Sequence, residues 1–214
     1  MNDGWSRWKG GIIPARNYLF ASIAGEIVSR SSKQNPKIFI CAHKEEITPV
    51  NTDKSHRFYD TCSSIFSTAY NKNITVTTPF FNLTKPEIVS YWRRNWTDKY
   101  SLSPQETVSC YFGNNCGSCK ACINRAVAFT CAGENLENFK NNPFADKEEI
   151  ILNDYVDRFD NLEEKRRIDF IYSLNKYYKQ LPSELKKFVN NKNSEFEDKL
   201  EPRLNEINNS KIEE

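Results

Sequence analysis

Four cysteines fall within thirteen residues in the stretch Ser109-Cys110-Tyr111-Phe112-Gly113-Asn114-Asn115-Cys116-Gly117-Ser118-Cys119-Lys120-Ala121-Cys122. The last three cysteines are separated by two residues each, and glycines loosen the loop that carries them. Thiolates at this spacing can converge on one tetrahedral metal ion, and four sulfur atoms close its coordination shell. The stretch therefore predicts a structural zinc site, with the ligands Cys110, Cys116, Cys119 and Cys122.

Two alternatives to zinc remain open from the spacing alone. A ferredoxin-type iron–sulfur run also uses C-x2-C-x2-C, but its next cysteine follows after three residues and precedes proline. Here the next cysteine is Cys131, and Ala132 follows it. The other alternative is four free or buried thiols with no metal. The ligand spacing favours zinc over both.

Length and composition set the broad class of the protein. The 214 residues can form one large domain or a domain with an appendage, and 13% aromatic residues supply large side chains for a core. A net charge of +2 argues against a surface that binds polyanions, so we expect no nucleic-acid partner. No apolar run approaches the roughly 18 residues that span a bilayer. Seven cysteines, four of them in one cluster, fit a reducing compartment, and we expect a cytoplasmic protein.

Upstream of the cysteines, hydrophobic periodicity predicts strands that alternate with helices. The predicted helices run from Pro14 to about Arg30, from Phe58 to Ala69, onward from Thr84, and from Lys120 to Ala132, and the predicted strands are 37–42 and 74–79. Thr84-Lys85-Pro86-Glu87 has the pattern of a capping box, and Gly133 that of a helix C-terminus. This alternation indicates an α/β fold with a parallel sheet.

The composition changes after Gly133, where charged residues become frequent. Two helices are predicted in this part, Asp154–Gln180 and Ser183–Asn190, the first with an apolar packing face. The last twenty or so residues have few apolar side chains, which predicts a solvated helix or a frayed tail. We therefore expect an N-terminal arm (1–11), an α/β domain (12–133, with the zinc loop at 109–122) and a helical, charged extension (134–214).

Several polar residues occupy positions where α/β proteins bind ligands, which is beyond the carboxyl ends of the strands or at helix starts. These candidate substrate-binding residues are Arg16, Asn17, His43, Asp53, Lys85, Ser109 and Arg125. Each also has an ordinary structural alternative. Asn17 can cap a helix and Asp53 can end a turn, while Ser109 can donate to a thiolate and Arg125 can pair with a carboxylate.

Read in order, the motifs of residues 12–133 carry a family resemblance. They are P-x-R-N at the first helix, Ala42-His43 after a strand, Asp53 before an aromatic-led helix, T-P-x-x-x-L-T-K-P-E-I-V, T-x-S-C-Y, C-G-x-C-x-x-C, and Arg125 followed by Ala132-Gly133. Together they resemble the 7-cyano-7-deazaguanine synthase family, often called QueC.

The resemblance implies a Rossmann-like domain of the ATP-pyrophosphatase (adenine nucleotide alpha hydrolase) type with a structural zinc site of four cysteines. It also implies ATP and magnesium as cofactors and a deazapurine as the small-molecule substrate. Members of the family convert 7-carboxy-7-deazaguanine and ammonia to the nitrile. The seven candidate residues would contact that substrate, whereas no residue is assigned a catalytic role.

Two features depart from the family pattern. Family members hold pyrophosphate in a Ser-Gly-Gly-x-Asp-Ser loop, where backbone amides and a helix N-terminus meet the phosphates. The nearest stretch here, Lys9-Gly10-Gly11-Ile12, lacks the hydroxyls and the carboxylate. The sequence begins about halfway into the family's domain, so we expect an upstream segment or a separate chain to bind ATP and the isolated chain to be inactive. The gap between Cys110 and Cys116 is also shorter than the family's usual loop.

Two other functions are compatible with these motifs. The chain can be a non-catalytic, zinc-stabilised binding module that uses its extension to dock a partner. Alternatively, it can keep the ligase chemistry on another substrate, because QueC-like proteins also occur in phage and antiphage systems. Self-association into a homo-oligomer is a further expectation that the sequence leaves open.

Overall fold

The computed structural model describes residues 15–46, 52–146 and 148–212, which form two compact units. The first unit comprises residues 15–82 and the second Leu83–Ile212. The predicted arm at 1–11 and the Lys9–Ile12 stretch lie outside the described residues. The division at residue 82 means that the C-terminal part of the predicted α/β domain folds together with the extension.

The first unit alternates helices and strands, as the periodicity predicts. Its elements are α1 (Arg16–Ser29), β1 (Lys37–Phe39), α2 (His56–Tyr70) and β2 (Thr75–Thr77), with 3-10 turns at Lys44–Glu46 and Thr52–Lys54. The strands β1 and β2 pair in parallel, with Ile38 opposite Val76. The α/β class and the parallel sheet are confirmed, although each strand has three residues rather than the six predicted.

One face of this sheet carries the core of the first unit. Ile38 and Val76 are buried there with Tyr59 and Phe66 of α2. The helix α1 packs through small residues, and Gly25 lies so close to Phe66 that an added Cβ would be 3.4 Å from its ring. The large apolar residues whose spacing predicts α1 are instead exposed, at 53 to 65% of their surface: Leu19, Phe20, Ile23 and Ile27.

The second unit consists of helices joined by loops, and its described residues include no strand. Its helices are α3 (Lys85–Asn95), α4 (Thr97–Tyr100), α5 (Lys120–Cys131), α6 (Glu148–Ile151), α7 (Glu164–Lys176) and α8 (Ser183–Asn208). The capping box is present at the start of α3, where the Thr84 amide donates to Glu87 over 2.7 Å. Gly133 follows α5 with φ +79°, the left-handed conformation expected at this end. Both local predictions are confirmed.

The extension folds differently from its predicted helices. The continuous helix predicted over Asp154–Gln180 is wrong, because a π-helical turn (Leu152–Val156) and a 3-10 turn (Phe159–Asn161) precede α7. The prediction of a solvated or frayed tail is also wrong, because α8 runs to Asn208 and buries Phe196 and Ile207 completely. These aromatic and aliphatic residues share one core with Ile123 and Val127 of α5.

A buried ion network fixes α8 against α3 and α7. The Arg203 guanidinium donates to both carboxylate oxygens of Asp169, at 2.9 and 3.0 Å, and also to Glu87 and to the Thr84 hydroxyl. Burial opposes the charge on Arg203, but the bonds to Asp169 and Glu87 outweigh it and raise the pKa of the guanidinium. The capping box of α3 is therefore completed by a residue of the extension.

No helix within the described part of the chain is both long enough and apolar enough to span a bilayer.

Candidate metal centre and substrate-binding residues

The four predicted ligands come together in the second unit. The sulfur atoms of Cys110, Cys116, Cys119 and Cys122 all lie within 4.8 Å of one another. Cys116 and Cys122 are separated by 3.8 Å. A tetrahedron with zinc–sulfur bonds of about 2.3 Å requires sulfur–sulfur distances of about 3.8 Å. The donor set and its spacing therefore fit one tetrahedral metal ion with a closed shell.

Hydrogen bonds within the cluster favour ionisation of the Cys116 thiol. Burial opposes ionisation of Cys116, but hydrogen bonds from Ser118 and from neighbouring thiols outweigh it and lower the pKa to about 6. The Ser118 amide donates to the Cys116 sulfur over 3.5 Å. Cys122 is fully buried, and burial raises the pKa of its thiol. Ionisation is thus easier at the partly exposed Cys116 than at the buried Cys122.

Local backbone geometry brings the sulfur atoms together. Four consecutive or near-consecutive residues of the loop have positive φ, namely Gly113, Asn114, Asn115 and Gly117. Asparagine and glycine are the residues that adopt this conformation most readily. Cys119 is the N-cap of α5 and Cys122 lies in its first turn, where the helix dipole favours negative charge. The loop and the helix start thus place all four ligands.

Residues of the extension hold this loop from outside. The Asn141 side chain donates to the Cys116 carbonyl over 2.6 Å, and the Lys140 amide donates to the Asn115 carbonyl over 3.0 Å. Gly117 lies so close to Asn141 that an added Cβ would be 2.0 Å from its carbonyl oxygen. The segment after Gly133 therefore takes part in shaping the metal centre, a role that nothing in its composition indicated.

Arg125 lies behind the cysteine cluster with 5% of its surface exposed. Its guanidinium donates to the Thr107 hydroxyl over 2.5 Å and to the Pro104 carbonyl over 3.1 Å, and it stacks on the Phe129 ring at 4.1 Å. Burial lowers the pKa of the guanidinium. These contacts fix the turn that leads into the T-x-S-C-Y motif, so the partners of Arg125 are a hydroxyl and carbonyls rather than the carboxylate considered above.

The T-x-S-C-Y segment places its other side chains at the surface. Ser109 is exposed, and cysteine sulfurs in this loop accept hydrogen bonds from the Ser118 and Cys116 amides. Tyr111 and Phe112 follow Cys110 with 89 and 80% of their surfaces exposed. Lys85 is half-buried and is the first residue of α3. Ser109 and Lys85 remain predictions as substrate-binding residues.

Three of the candidates in the first unit lie in one polar corner. The Asn17 side chain donates to the Asp53 carbonyl over 3.2 Å, so Asn17 joins α1 to the turn at Thr52–Lys54 rather than capping the helix. His43 is buried, and its two ring nitrogens lie 3.4 and 3.5 Å from carboxylate oxygens of Glu45 and Glu46. Arg16, the fourth candidate in this unit, is exposed at the start of α1.

Sequence reasoning missed three charged residues that complete this corner, Glu45, Glu46 and Lys54. Glu46 contacts His43 and also pairs with Lys54 over 3.1 Å. A signal was available, because Glu45, Glu46 and Lys54 flank two of the predicted residues in the loop after β1. Asn141 in the second unit had no comparable signal, since its contact with the metal loop spans 25 residues.

Fold and site together define an α/β protein with a small parallel sheet and a four-cysteine centre that fits a metal ion. A family model described as "Queuosine biosynthesis protein QueC" matches residues 6–133, which is more than half of the chain. The chain belongs to this family.

Curated relatives carry the name 7-cyano-7-deazaguanine synthase. Those of Methanobrevibacter smithii and Methanothermobacter thermautotrophicus are each 29% identical to this chain, over 122 and 123 residues. The synthase of Methanococcus vannielii is 29% identical over 127 residues. The match takes up 56% of this chain and 50 to 53% of each relative, so the chain spans about half the length of these synthases. No solved structure matches the chain significantly.

Proposed function

We propose that the chain is the substrate-binding, zinc-stabilised part of a 7-cyano-7-deazaguanine synthase-like enzyme. The observation that carries this proposal is the convergence of four cysteines at the positions of the family motif, within a chain that the family model matches over 6–133. In this reading the fold is a partial Rossmann-like domain of the ATP-pyrophosphatase type. The two strands of the first unit form part of its sheet.

The proposed reaction uses two ATP molecules, the first to activate a carboxylate and the second to activate an amide. The carboxylate of 7-carboxy-7-deazaguanine attacks the α-phosphorus, pyrophosphate leaves, and ammonia then displaces AMP to give an amide. The amide oxygen then attacks the α-phosphorus of a second ATP and pyrophosphate leaves. Loss of AMP, which carries the oxygen away, and of both protons from nitrogen gives the nitrile. The candidates Arg16, Asn17, His43, Asp53, Lys85, Ser109 and Arg125 would bind the substrate, while ATP and magnesium would use a phosphate loop on another polypeptide segment.

Zinc has a structural role in this proposal. Four thiolates would fill the tetrahedral shell of the ion, which leaves no position for substrate or water. Arg125 would then be positioned by the start of α5, where the ligand Cys122 lies one turn earlier. The metal would hold the T-x-S-C-Y segment in place without taking part in the reaction.

A reconstitution experiment tests the proposed function. The chain is mixed with the part of the M. smithii synthase that lies outside the matched segment, together with ATP, magnesium, ammonia and 7-carboxy-7-deazaguanine. We expect pyrophosphate release and formation of the nitrile by mass spectrometry, and no ATP hydrolysis by the isolated chain. Absence of turnover with this and other proteins that carry Ser-Gly-Gly-x-Asp-Ser, whatever the substrate, would reject the enzyme function.

A second candidate is a binding module without ATP chemistry, held together by the four-cysteine centre. Calorimetric titration distinguishes the two functions. Binding of a deazaguanine to the chain, without ATP binding in any mixture, would support the module. Turnover of a different carboxylate in the reconstituted mixture would instead support a QueC-like ligase with another substrate, as in phage or antiphage systems.

A further inference from the structure

A cavity of about 440 Å³ opens in the second unit between the segment that follows α5 and the turn that follows α7. The lining residues come from 135–143 and from Tyr177 and Gln180. The volume is within the range of about 300 to 1,000 Å³ that is typical of small-molecule sites. All of the lining residues lie outside the segment 6–133 that the family model matches. The cavity is therefore a candidate site that the proposed function does not use.

Aromatic and aliphatic side chains form the apolar part of the cavity lining. They are Leu136, Phe139, Pro143 and Tyr177. Phe139 also packs against the cysteine cluster, and the Tyr177 ring lies 5.3 Å from the ring of the fully buried Phe144, centroid to centroid. Packing thus holds both aromatic rings of the lining in place. Rings that are fixed in this way favour contact with another planar ring.

Polar side chains form the rest of the lining, and they are carboxamides apart from one carboxylate. They are Asn135, Glu137, Asn141, Asn142 and Gln180. Bonds with the backbone fix the orientation of two of them, because the Asn141 nitrogen donates to a carbonyl of the cysteine loop and the Asn142 oxygen accepts from a backbone amide. The Asn142 nitrogen then donates to the Gln180 oxygen. Within the described residues, no hydrogen bond uses the Asn141 oxygen, the Gln180 nitrogen or the Glu137 carboxylate, so these atoms can bind a ligand.

The charge of the lining selects against anions. Among the described residues that line the cavity, none is cationic, and Glu137 carries a negative charge. An anion that entered would lose hydration without gaining a counter-charge, and it would meet a like charge. The unused oxygen of Asn141 and the unused nitrogen of Gln180 instead match a neutral group that donates and accepts at the same time. A carboxamide is such a group.

We propose that this cavity binds an uncharged, planar heterocycle that carries a carboxamide. The ring packs against Phe139 and Tyr177. The carboxamide of the ligand donates to the Asn141 oxygen and accepts from the Gln180 nitrogen. Because Asn141 and Phe139 also contact the cysteine loop, that loop keeps one side of the cavity in shape. The inference goes beyond the proposed function and does not depend on it.

Nicotinamide and nicotinate are matched probes, because they share one ring and differ only in a carboxamide or a carboxylate. Each is titrated into the wild-type chain, purified with zinc, and the backbone amides are followed by NMR. With nicotinamide we expect saturable shifts at residues 135–142, Tyr177 and Gln180. The affinity for nicotinate should be lower by at least about tenfold, because its charge finds no counter-charge in the lining. Absence of saturable shifts at these residues, or equal affinity for the two probes, would overturn the proposal.

Gln180→Glu tests the carboxamide contact. The substitution keeps an oxygen that can accept from Asn142 and replaces the unused nitrogen with a second oxygen. We expect at least about a tenfold loss of nicotinamide affinity, because the ligand carbonyl then meets an acceptor. The control is Asn191→Asp, the same change of amide to acid at an exposed residue of α8 that does not line the cavity, and it should bind normally. Equal affinities in the two variants would place the probe elsewhere and overturn the proposal.

Discussion

At the scale of the single residue, the cysteines of the second unit gain their chemistry from their surroundings. Cys116 and Cys122 lie 3.8 Å apart, yet burial and hydrogen bonding shift the pKa values of their thiols in opposite directions. A divalent cation would bind all four sulfurs as thiolates, because metal binding releases the thiol protons. The convergence of four sulfur atoms, rather than either pKa shift, is what favours a metal ion here.

Elemental analysis should find about one zinc ion per chain, and its removal should destabilise the second unit. A ligand present at a thousandfold excess over its dissociation constant contributes about 4 kcal/mol of stability, so chelation should lower the melting temperature clearly. Cys122→Ser should lose zinc and melt early, whereas Cys41→Ser, at an exposed position, should do neither. A metal-free protein with an unchanged melting temperature would contradict the structural role.

Gly117 and Gly113 form a matched pair for testing how the loop is shaped. Both have φ +75°, but an added Cβ at Gly117 meets the Asn141 carbonyl oxygen, whereas at Gly113 it meets nothing within 4 Å. Gly113→Ala should cost about 1 kcal/mol, as expected for a left-handed alanine. Gly117→Ala should cost at least about 2 kcal/mol and weaken zinc binding, because a backbone atom must move. Equal unfolding free energies in urea would contradict this difference between the two sites.

At the scale of the element, serine side chains of α2 form hydrogen bonds with the outer edge of β2, where another strand would otherwise pair. Ser67 both accepts from and donates to the backbone of Ile74, a residue with 1% of its surface exposed. A buried amide left without an acceptor costs about 1 to 3 kcal/mol. The helix α2 thus closes the sheet as well as covering it.

Ser67→Ala should therefore destabilise the first unit by about 1 to 3 kcal/mol and speed exchange of the Ile74 amide. The control is Ser22→Ala in α1, whose exposed hydroxyl donates to Tyr18 within its own helix and should contribute less than about 0.5 kcal/mol. Chemical denaturation monitored by circular dichroism compares the two variants. An equal loss of stability in both would show that Ser67 does not close the sheet.

Sequence motifs predicted the helix ends correctly where the residues that form each end are close together in the chain. The capping box at Thr84 and the glycine after α5 were found because their partners lie within a few residues. The interruption before α7 was not found, since no proline or glycine marks it; instead Phe159 packs against Phe188 and Phe196 from α8. The four cysteines were predicted by spacing, but Asn141 reaches the cysteine loop through a contact that spacing does not encode.

At the scale of the whole molecule, the predicted boundary at residue 133 separates two stretches of different composition. It does not separate two packed units, because residues on both sides of it lie in the second unit. Arg203 of α8 binds Asp169 of α7 and Glu87 of α3, and all three side chains are nearly inaccessible. A charged residue in a charged segment predicts a surface position, so its burial could not be inferred from composition. The extension is thus part of the structural core around the family motif.

Arg203→Met should destabilise the second unit by about 3 to 5 kcal/mol, because Asp169 and Glu87 would be left buried without their main counter-charge. Arg30→Met is the control, since Arg30 pairs with Glu26 at the surface and such pairs contribute at most about 1 kcal/mol. Thermal unfolding of the two variants measures the difference. A loss below about 1 kcal/mol for Arg203→Met would show that the network is dispensable.

Asn141 and Lys140 donate hydrogen bonds to the cysteine loop. Metal binding to the loop should therefore be coupled to the ordering of residues 139–142. By thermodynamic reciprocity, whatever factor the metal adds to the affinity of a molecule that binds this segment, that molecule adds to the affinity for the metal. A protein or ligand that displaced Asn141 from Cys116 would therefore weaken metal binding without touching a sulfur atom. In that case, molecules that bind the extension, and not only the concentration of the free metal, would determine how long the ion stays bound.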